Sequence, residues 1–195
     1  YADAIAAFQA ADRASPPAKG RILFVGSSSF TNWQDVNEYL PGRDIINRAF
    51  GGSTLNDQIR WVREVVYPYE PRQIVVYCGE NDLAGNSKLP AFAVRDRFAH
   101  WFGLVRSRYP QVPIAYVSMK PSPSRWHLRA KFIAGNAYIR EYLATKPRTS
   151  FIDVWPAMLG PDGRPKQAIF LADKLHMNSA GYRLWAPLIE KALVR

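Results

Sequence analysis

The chain has one cysteine, Cys78, so no disulfide can form within it. Cys78 lies in the apolar run Ile74-Val75-Val76-Tyr77-Cys78, where a buried, inert thiol is the expected state. No stretch approaches the roughly 18 consecutive apolar residues of a membrane-spanning helix, so no stable membrane insertion is expected. Histidine is scarce, at three residues, and no His/Cys cluster stands at metal-ligand spacing. No metal site is therefore expected. The nucleotide-binding patterns G-x-G-x-x-G and G-x-x-x-x-G-K-[ST] are missing, which removes a nucleotide-binding doubly wound domain from consideration. Dense runs of one charge, internal repeats and low-complexity tracts are missing as well.

What is present fits one globular domain over residues 1–195, with residues 1–20 as a packing helix and linker. Apolar residues make up 48% and charged residues 22%, which is ordinary for a soluble folded protein. The 13% aromatic content, with six Trp, points to a well-filled core. Lys and Arg total 26 against 16 Asp and Glu, a formal charge of +10. A basic balance suits nucleic acid, an anionic envelope surface or an acidic substrate. Here the arginines are scattered over several elements (Arg60, Arg63, Arg95, Arg106, Arg129 and Arg140 among them) and no nucleic-acid module is present. A solvated basic surface and no nucleic-acid partner are expected. The chain starts Tyr1-Ala2-Asp3 without Met. A processed start fits a periplasmic or secreted protein, an unprocessed one a cytoplasmic protein, and the residues leave both open.

Hydrophobic periodicity alternates between two kinds. Ala4, Ile5, Phe8 and Ala11 recur at helical spacing within Asp3 to Ala14, and Pro16-Pro17 ends that helix. Ile22 to Val25 is a short continuous apolar run, the signature of a strand buried on both faces. Further strands are expected at Ile45-Ile46, Gln73 to Cys78, Ile114 to Ser118 and Phe151 to Val154. Helices are expected at Leu55 to Val66, Pro90 to Tyr109, Leu128 to Thr145 and Ser179 to Val194, the last kinked at Pro187. Strands alternating with helices of this length specify a parallel sheet covered on both sides. The expected fold is α/β, a three-layer α/β/α sandwich with a five-stranded parallel sheet.

Ligands of such sheets bind beyond the carboxyl ends of the strands. Small, polar and titratable residues collect there: Gly26-Ser27-Ser28-Ser29, Asn47 to Ser53, Gly79-Glu80-Asn81-Asp82 and Lys120 to Trp126. Asp173-Lys174-Leu175-His176 precedes the last helix. A serine hydroxyl becomes a nucleophile when a base removes its proton, and a carboxylate fixes the tautomer of a histidine base. His176, with Asp173 three residues before it, is the candidate base; His100 reads as a mid-helix packed or solvated residue and His127 as a loop residue. Acyl transfer also needs donors for a developing oxyanion. Ser28 at a strand-to-helix turn offers its own N–H, Gly51-Gly52 offers an unusual backbone geometry, and Asn81 offers an amide. Each segment alone also reads as a turn or a helix cap. Their joint order at successive strand ends is the signal.

These blocks resemble those of the SGNH hydrolases, the GDSL-like esterase/lipase superfamily. GSSS (Gly26 to Ser29), NRAFGGS (Asn47 to Ser53), GEND (Gly79 to Asp82) and DKLH (Asp173 to His176) are similar to its blocks I, II, III and V, over roughly Ile22 to Trp185. ILFVGSSSFTNW, KPSPSRW and LHMNSAGYRLW resemble bacterial members whose first block reads GSSS. The resemblance implies a flavodoxin-like sheet, Ser28 as nucleophile, His176 and Asp173 as base and orienting acid, and Ser28, Gly52 and Asn81 as oxyanion donors. Ser27 stands where the usual block has Asp, so the choice of Ser28 over Ser27 or Ser29 rests on register with Gly26.

The implied activity is hydrolysis of a carboxylic ester, a short acetyl-like acyl group on a small-molecule alcohol or a saccharide, by a mechanism that requires no metal and no organic cofactor. Short loops leave little chain for a lid, and Arg125 and Trp126 are candidates for contact with the alcohol portion. Lysophospholipase, thioesterase or acyltransferase chemistry at the same site, and a catalytically silent binding module, are the alternatives.

Overall fold

The computed structural model describes residues 1–194. The chain runs α1 (Ala2–Ala14), β1 (Ile22–Gly26), α2 (Ser28–Thr31), α3 (Val36–Tyr39), β2 (Ile45–Asn47), α4 (Leu55–Arg60), α5 (Val62–Val65) and β3 (Gln73–Tyr77). It continues through α6 (Glu80–Ala84), α7 (Phe92–Arg108), β4 (Ile114–Val117), α8 (Arg129–Ala144), β5 (Thr149–Ile152) and α9 (Ser179–Glu190). The five strands form one parallel sheet in the order β2-β1-β3-β4-β5. That is the flavodoxin-like order, in which successive crossovers leave β1 in opposite directions.

Side-chain alternation along each strand splits the core into two layers. Leu23, Val25, Ile74, Val76 and Tyr116 face a layer built with Ile5 of α1, Leu55 of α4, Phe98 and Trp101 of α7, and Phe132 of α8. Ile22, Phe24, Val75, Tyr77 and Val117 face the opposite layer, built with Phe30, Trp33, Tyr182 and Trp185. Every residue of β1 and β3 is buried, as continuous apolar runs require when helices cover both faces.

The sequence-based elements are present with shifted bounds. The expected helix over Leu55 to Val66 breaks at Trp61 (φ −101°, ψ 12°), which closes α4 and opens α5. Both sides of the break keep their hydrogen bonds, Trp61 N–H to Asp57 O and Val65 N–H to Trp61 O, each at 3.0 Å. The break lets Val62, Val65 and Val66 all turn inward. The fifth strand is Thr149–Ile152, two residues earlier than Phe151 to Val154, because its ladder is set by pairing of Thr149 with Ile114 and Ile152 with Val117. The last helix ends at Glu190 and keeps Pro187 inside it. Short helices α2, α3 and α6 fall within stretches that lack a periodic apolar pattern, too short to announce themselves.

Candidate active site

The strand order reverses at β1, so a crevice opens beyond the carboxyl ends of β1 and β3. Gly26 makes the close approach there. Its φ is +132°, and a Cβ on it would lie 1.9 Å from the Tyr77 carbonyl oxygen. The Ser27 N–H then donates to Tyr77 O at 2.9 Å, and the Ser27 carbonyl accepts from Phe30 N at 3.0 Å and Thr31 N at 3.1 Å. This turn starts α2 at Ser28, which stands half-buried at the mouth of the crevice.

His176 comes to it from the far end of the chain. Asp173 Oδ1 accepts the N–H groups of Leu175 and His176, each at 2.9 Å, which folds the D-x-x-H segment back on itself. Asp173 Oδ2 lies 2.5 Å from His176 Nδ1, and His176 Nε2 lies 3.0 Å from Ser28 Oγ. The His176 contact, followed by the two backbone N–H groups, holds the Asp173 carboxyl down to a pKa of about 2. Asn178 caps α9 just beyond, and the Tyr182 hydroxyl of α9 donates to Ser29 O at 2.8 Å, tying the histidine segment to α2.

The three adjacent serines have distinct surroundings. Ser28 alone meets His176; Ser27 Oγ accepts from Asn81 Nδ2 at 2.8 Å; Ser29 Oγ is buried without a partner among the described residues.

The loop after β2 converges on the same end. Phe50 N, Ser53 Oγ and Gln58 Nε2 all donate to Gly26 O, at 3.0, 3.1 and 3.1 Å. Gly52 sits at φ +77°, a left-handed turn that suits glycine, and its carbonyl accepts from the Tyr1 hydroxyl at 2.9 Å. The N–H groups of Ser28 and Gly52 donate to no protein acceptor among the described residues. Asn81, in the first turn of α6, directs Nδ2 to Ser27 Oγ and to Ser53 O, the latter at 3.1 Å.

The sequence places Asp82, Glu80 and Lys120 at the strand ends but assigns them no individual role. Asp82 is buried and joins Leu55 N (2.9 Å) to Arg97 (2.7 Å), fixing α4 and α7 around the Gly51–Ser53 loop. Glu80 and Lys120 form a buried ion pair at 2.8 Å. The available signal was the pair of acids flanking Asn81 and a lysine closing an apolar strand segment, Ile114 to Lys120. Arg125 bonds Asn81 and Glu80, and Trp126 stacks on Trp155 with centroids 6.2 Å apart. His100 and His127 are exposed and lie apart from this cluster.

A larger groove lies elsewhere. It holds about 740 Å³ between α1 and the β2 edge, lined by Phe8, Ile46, Asn47, Arg48 and Gly51 among others, and neither Ser28 nor His176 lines it. Beside Ser28 the recess is small, about 10 Å³, and polar, lined by Ser27, Asn81, Lys120, Arg125 and Leu175 among others. The small recess, not the groove, holds the hydroxyl that meets an imidazole.

A hydroxyl, an imidazole and a carboxylate stand in one hydrogen-bonded line at the switch point of a parallel sheet, the arrangement by which serine hydrolases activate a hydroxyl for acyl transfer. The model of the GDSL-like Lipase/Acylhydrolase family matches residues 14–184, and the chain belongs to that family. Among solved structures, a GDSL-like lipase from Bacteroides thetaiotaomicron is similar at 20% identity and a TM-score of 0.81, covering 97% of this chain and 96% of that one. A lipase/acylhydrolase from Enterococcus faecalis is similar at 18% identity and 0.71, covering 88% and 94%. A carbohydrate esterase family 3 protein from Talaromyces cellulolyticus is similar at 16% identity and 0.70, covering 89% and 96%. A search of curated proteins finds no match.

Proposed function

We propose that this chain is a single-domain serine esterase that removes a short, acetyl-like acyl group from an alcohol or a sugar. The observation that carries the reading is the line Asp173–His176–Ser28, with contacts of 2.5 and 3.0 Å. His176 Nδ1–H donates to Asp173, which leaves Nε2 as the acceptor for the Ser28 proton. Ser28 Oγ attacks the ester carbonyl carbon as its proton passes to Nε2. The carbonyl oxygen becomes an oxyanion between the N–H groups of Ser28 and Gly52 and the Asn81 amide. His176 then protonates the departing alcohol, and water activated by the same ring releases the acid.

The Asn81 amide bonds Ser27 Oγ at rest, so it serves the oxyanion by giving up or sharing that contact. An oxyanion donor of this kind contributes about 10²- to 10³-fold in rate. The small polar recess beside Ser28 supports a short acyl group. The likeness to a carbohydrate esterase supports a sugar as the alcohol.

The test is p-nitrophenyl acetate hydrolysis by wild type, Ser28→Ala and His176→Ala, together with p-nitrophenyl esters of increasing chain length. The expected result is a loss of about 10⁴-fold or more in kcat in each variant, with the fold retained, because such groups act as a unit. Acetate is expected to be the preferred acyl group. Turnover that survives Ser28→Ala would contradict the assignment, and preference for long chains would move the substrate to lipids.

A further inference from the structure

Behind Asn81 lies a buried charged assembly that the acyl-transfer reading does not use. The side chain of Glu80 is 6% exposed and that of Lys120 2%. Glu80 Oε2 accepts from Lys120 Nζ at 2.8 Å and from the Tyr77 hydroxyl, and Oε1 accepts from Arg125 Nη1 at 3.3 Å. Arg125 Nη2 turns the other way and donates to Asn81 Oδ1 at 2.9 Å. Two cations on one carboxylate leave a surplus positive charge in a region with little water. Buried ion pairs are weak devices for stability, because desolvation offsets their attraction. This one ends on an amide of the site.

The two ends of that amide have opposite surroundings. Guanidinium nitrogens only donate, and the Ser53 carbonyl only accepts. A flipped Asn81 would set its NH₂ against Arg125 and its oxygen against Ser53 O, losing both bonds. Only one orientation satisfies the network, and it keeps the N–H end on the Ser27–Ser28 side. A cationic donor on the carbonyl oxygen also polarises the amide and strengthens its N–H groups as donors.

We propose that Arg125 is a positioning residue for the oxyanion amide: held by Glu80, with Lys120 and Tyr77 behind it, it fixes Asn81 with Nδ2 towards the nucleophile. What the amide does in the reaction rests on the esterase reading above; its orientation does not.

The experiment follows the Asn81 side-chain amide by ¹⁵N–¹H NMR, its signal assigned by loss in Asn81→Ala, in parallel with steady-state kinetics on p-nitrophenyl acetate. In wild type two distinct amide protons protected from exchange are expected. In Arg125→Met they shift and exchange faster, and in Arg125→Lys they are partly restored. In the kinetics, Arg125→Met lowers kcat by about 10- to 100-fold, a fraction of a whole donor's worth, and moves KM by less than about 3-fold. Placed on Asn81→Ala, the same substitution costs less than about 2-fold more, because the two act through one group. An unchanged Asn81 signal in a folded Arg125→Met protein would overturn the proposal. So would an equal loss with and without Asn81, or a loss carried by KM alone, which would put Arg125 on the substrate. If wild type shows no Ser28-dependent turnover, the esterase reading fails and the NMR arm still decides the orientation. If Arg125→Met does not fold, Arg125→Ala carries the test.

Discussion

Asp173 shows how much a single residue depends on its local fold. Its carboxylate is half in solvent, with 47% of the side chain exposed, yet it takes two backbone N–H groups and an imidazole N–H. Those bonds favour the ionised form and bring its pKa from 3.8 to about 2. A carboxyl depressed by folding stabilises the fold above its unfolded value, and that contribution fades as pH falls from about 4 to about 2. Urea unfolding of wild type and Asp173→Asn is therefore expected to differ at pH 7 and to differ less at pH 2.5. The gap is small even at pH 7, because solvent screens so exposed a group. At pH 7 the same variant is expected to lose about 10²- to 10⁴-fold in kcat, since an amide can hold the wrong tautomer of His176.

At this scale the sequence was informative wherever a residue type has one chemical use. His176 with Asp173 three residues before it, Ser28 after Gly26, and Asn81 after Gly79 were all nominated, and the structure brings them together. Ser27 was read only as a departure from Gly-Asp-Ser. Its partner is Asn81, a residue 54 positions away, and no local pattern announces such a contact. The pairings of Glu80 with Lys120 and of Asp82 with Arg97 are illegible in sequence for the same reason: a buried charge is recognisable only by the distant partner that neutralises it.

Between elements, the site depends on two joints. One is the contact of β1 with β3 at Gly26. Gly26→Ala would drive a methyl into the Tyr77 carbonyl at a φ that L side chains rarely adopt. Strain and overpacking together predict a loss of about 3 kcal/mol or more in urea unfolding. The other joint is Asp82, which gathers α4 and α7 against the start of α6. Asp82→Asn removes a buried carboxylate and leaves Arg97 without its partner. The expected loss is about 2–3 kcal/mol, below that of a fully enclosed pair because Arg97 is 28% exposed. Elements with a strong period were legible: α1, α7, α8, α9 and all five strands. The break at Trp61 was not, because Leu55, Ile59, Val62 and Val66 keep helical spacing straight through it. The register of β5 was not either, because pairing with β4, and not local apolarity, decides where that strand begins.

For the whole molecule, alternating strand and helix patterns were enough to imply a parallel sheet with both faces covered. The order β2-β1-β3-β4-β5 then explains why residues 148 positions apart meet: Ser28 leaves the strand at which the winding reverses, and His176 precedes the helix packed on the same layer. Among the described residues no helix is long and apolar enough to cross a membrane. The formal charge of +10 takes no part in this account of the chemistry. The proposed nucleophile is one hydroxyl of three neighbouring serines. It is tested most directly by treating the protein with a p-nitrophenyl phosphonate ester, which traps an activated serine, and locating the adduct by peptide mass spectrometry. One adduct is expected, on Ser28, slowed strongly by His176→Ala and absent from Ser28→Ala. An adduct on Ser27 or Ser29, or no adduct on the folded wild-type protein, would contradict it.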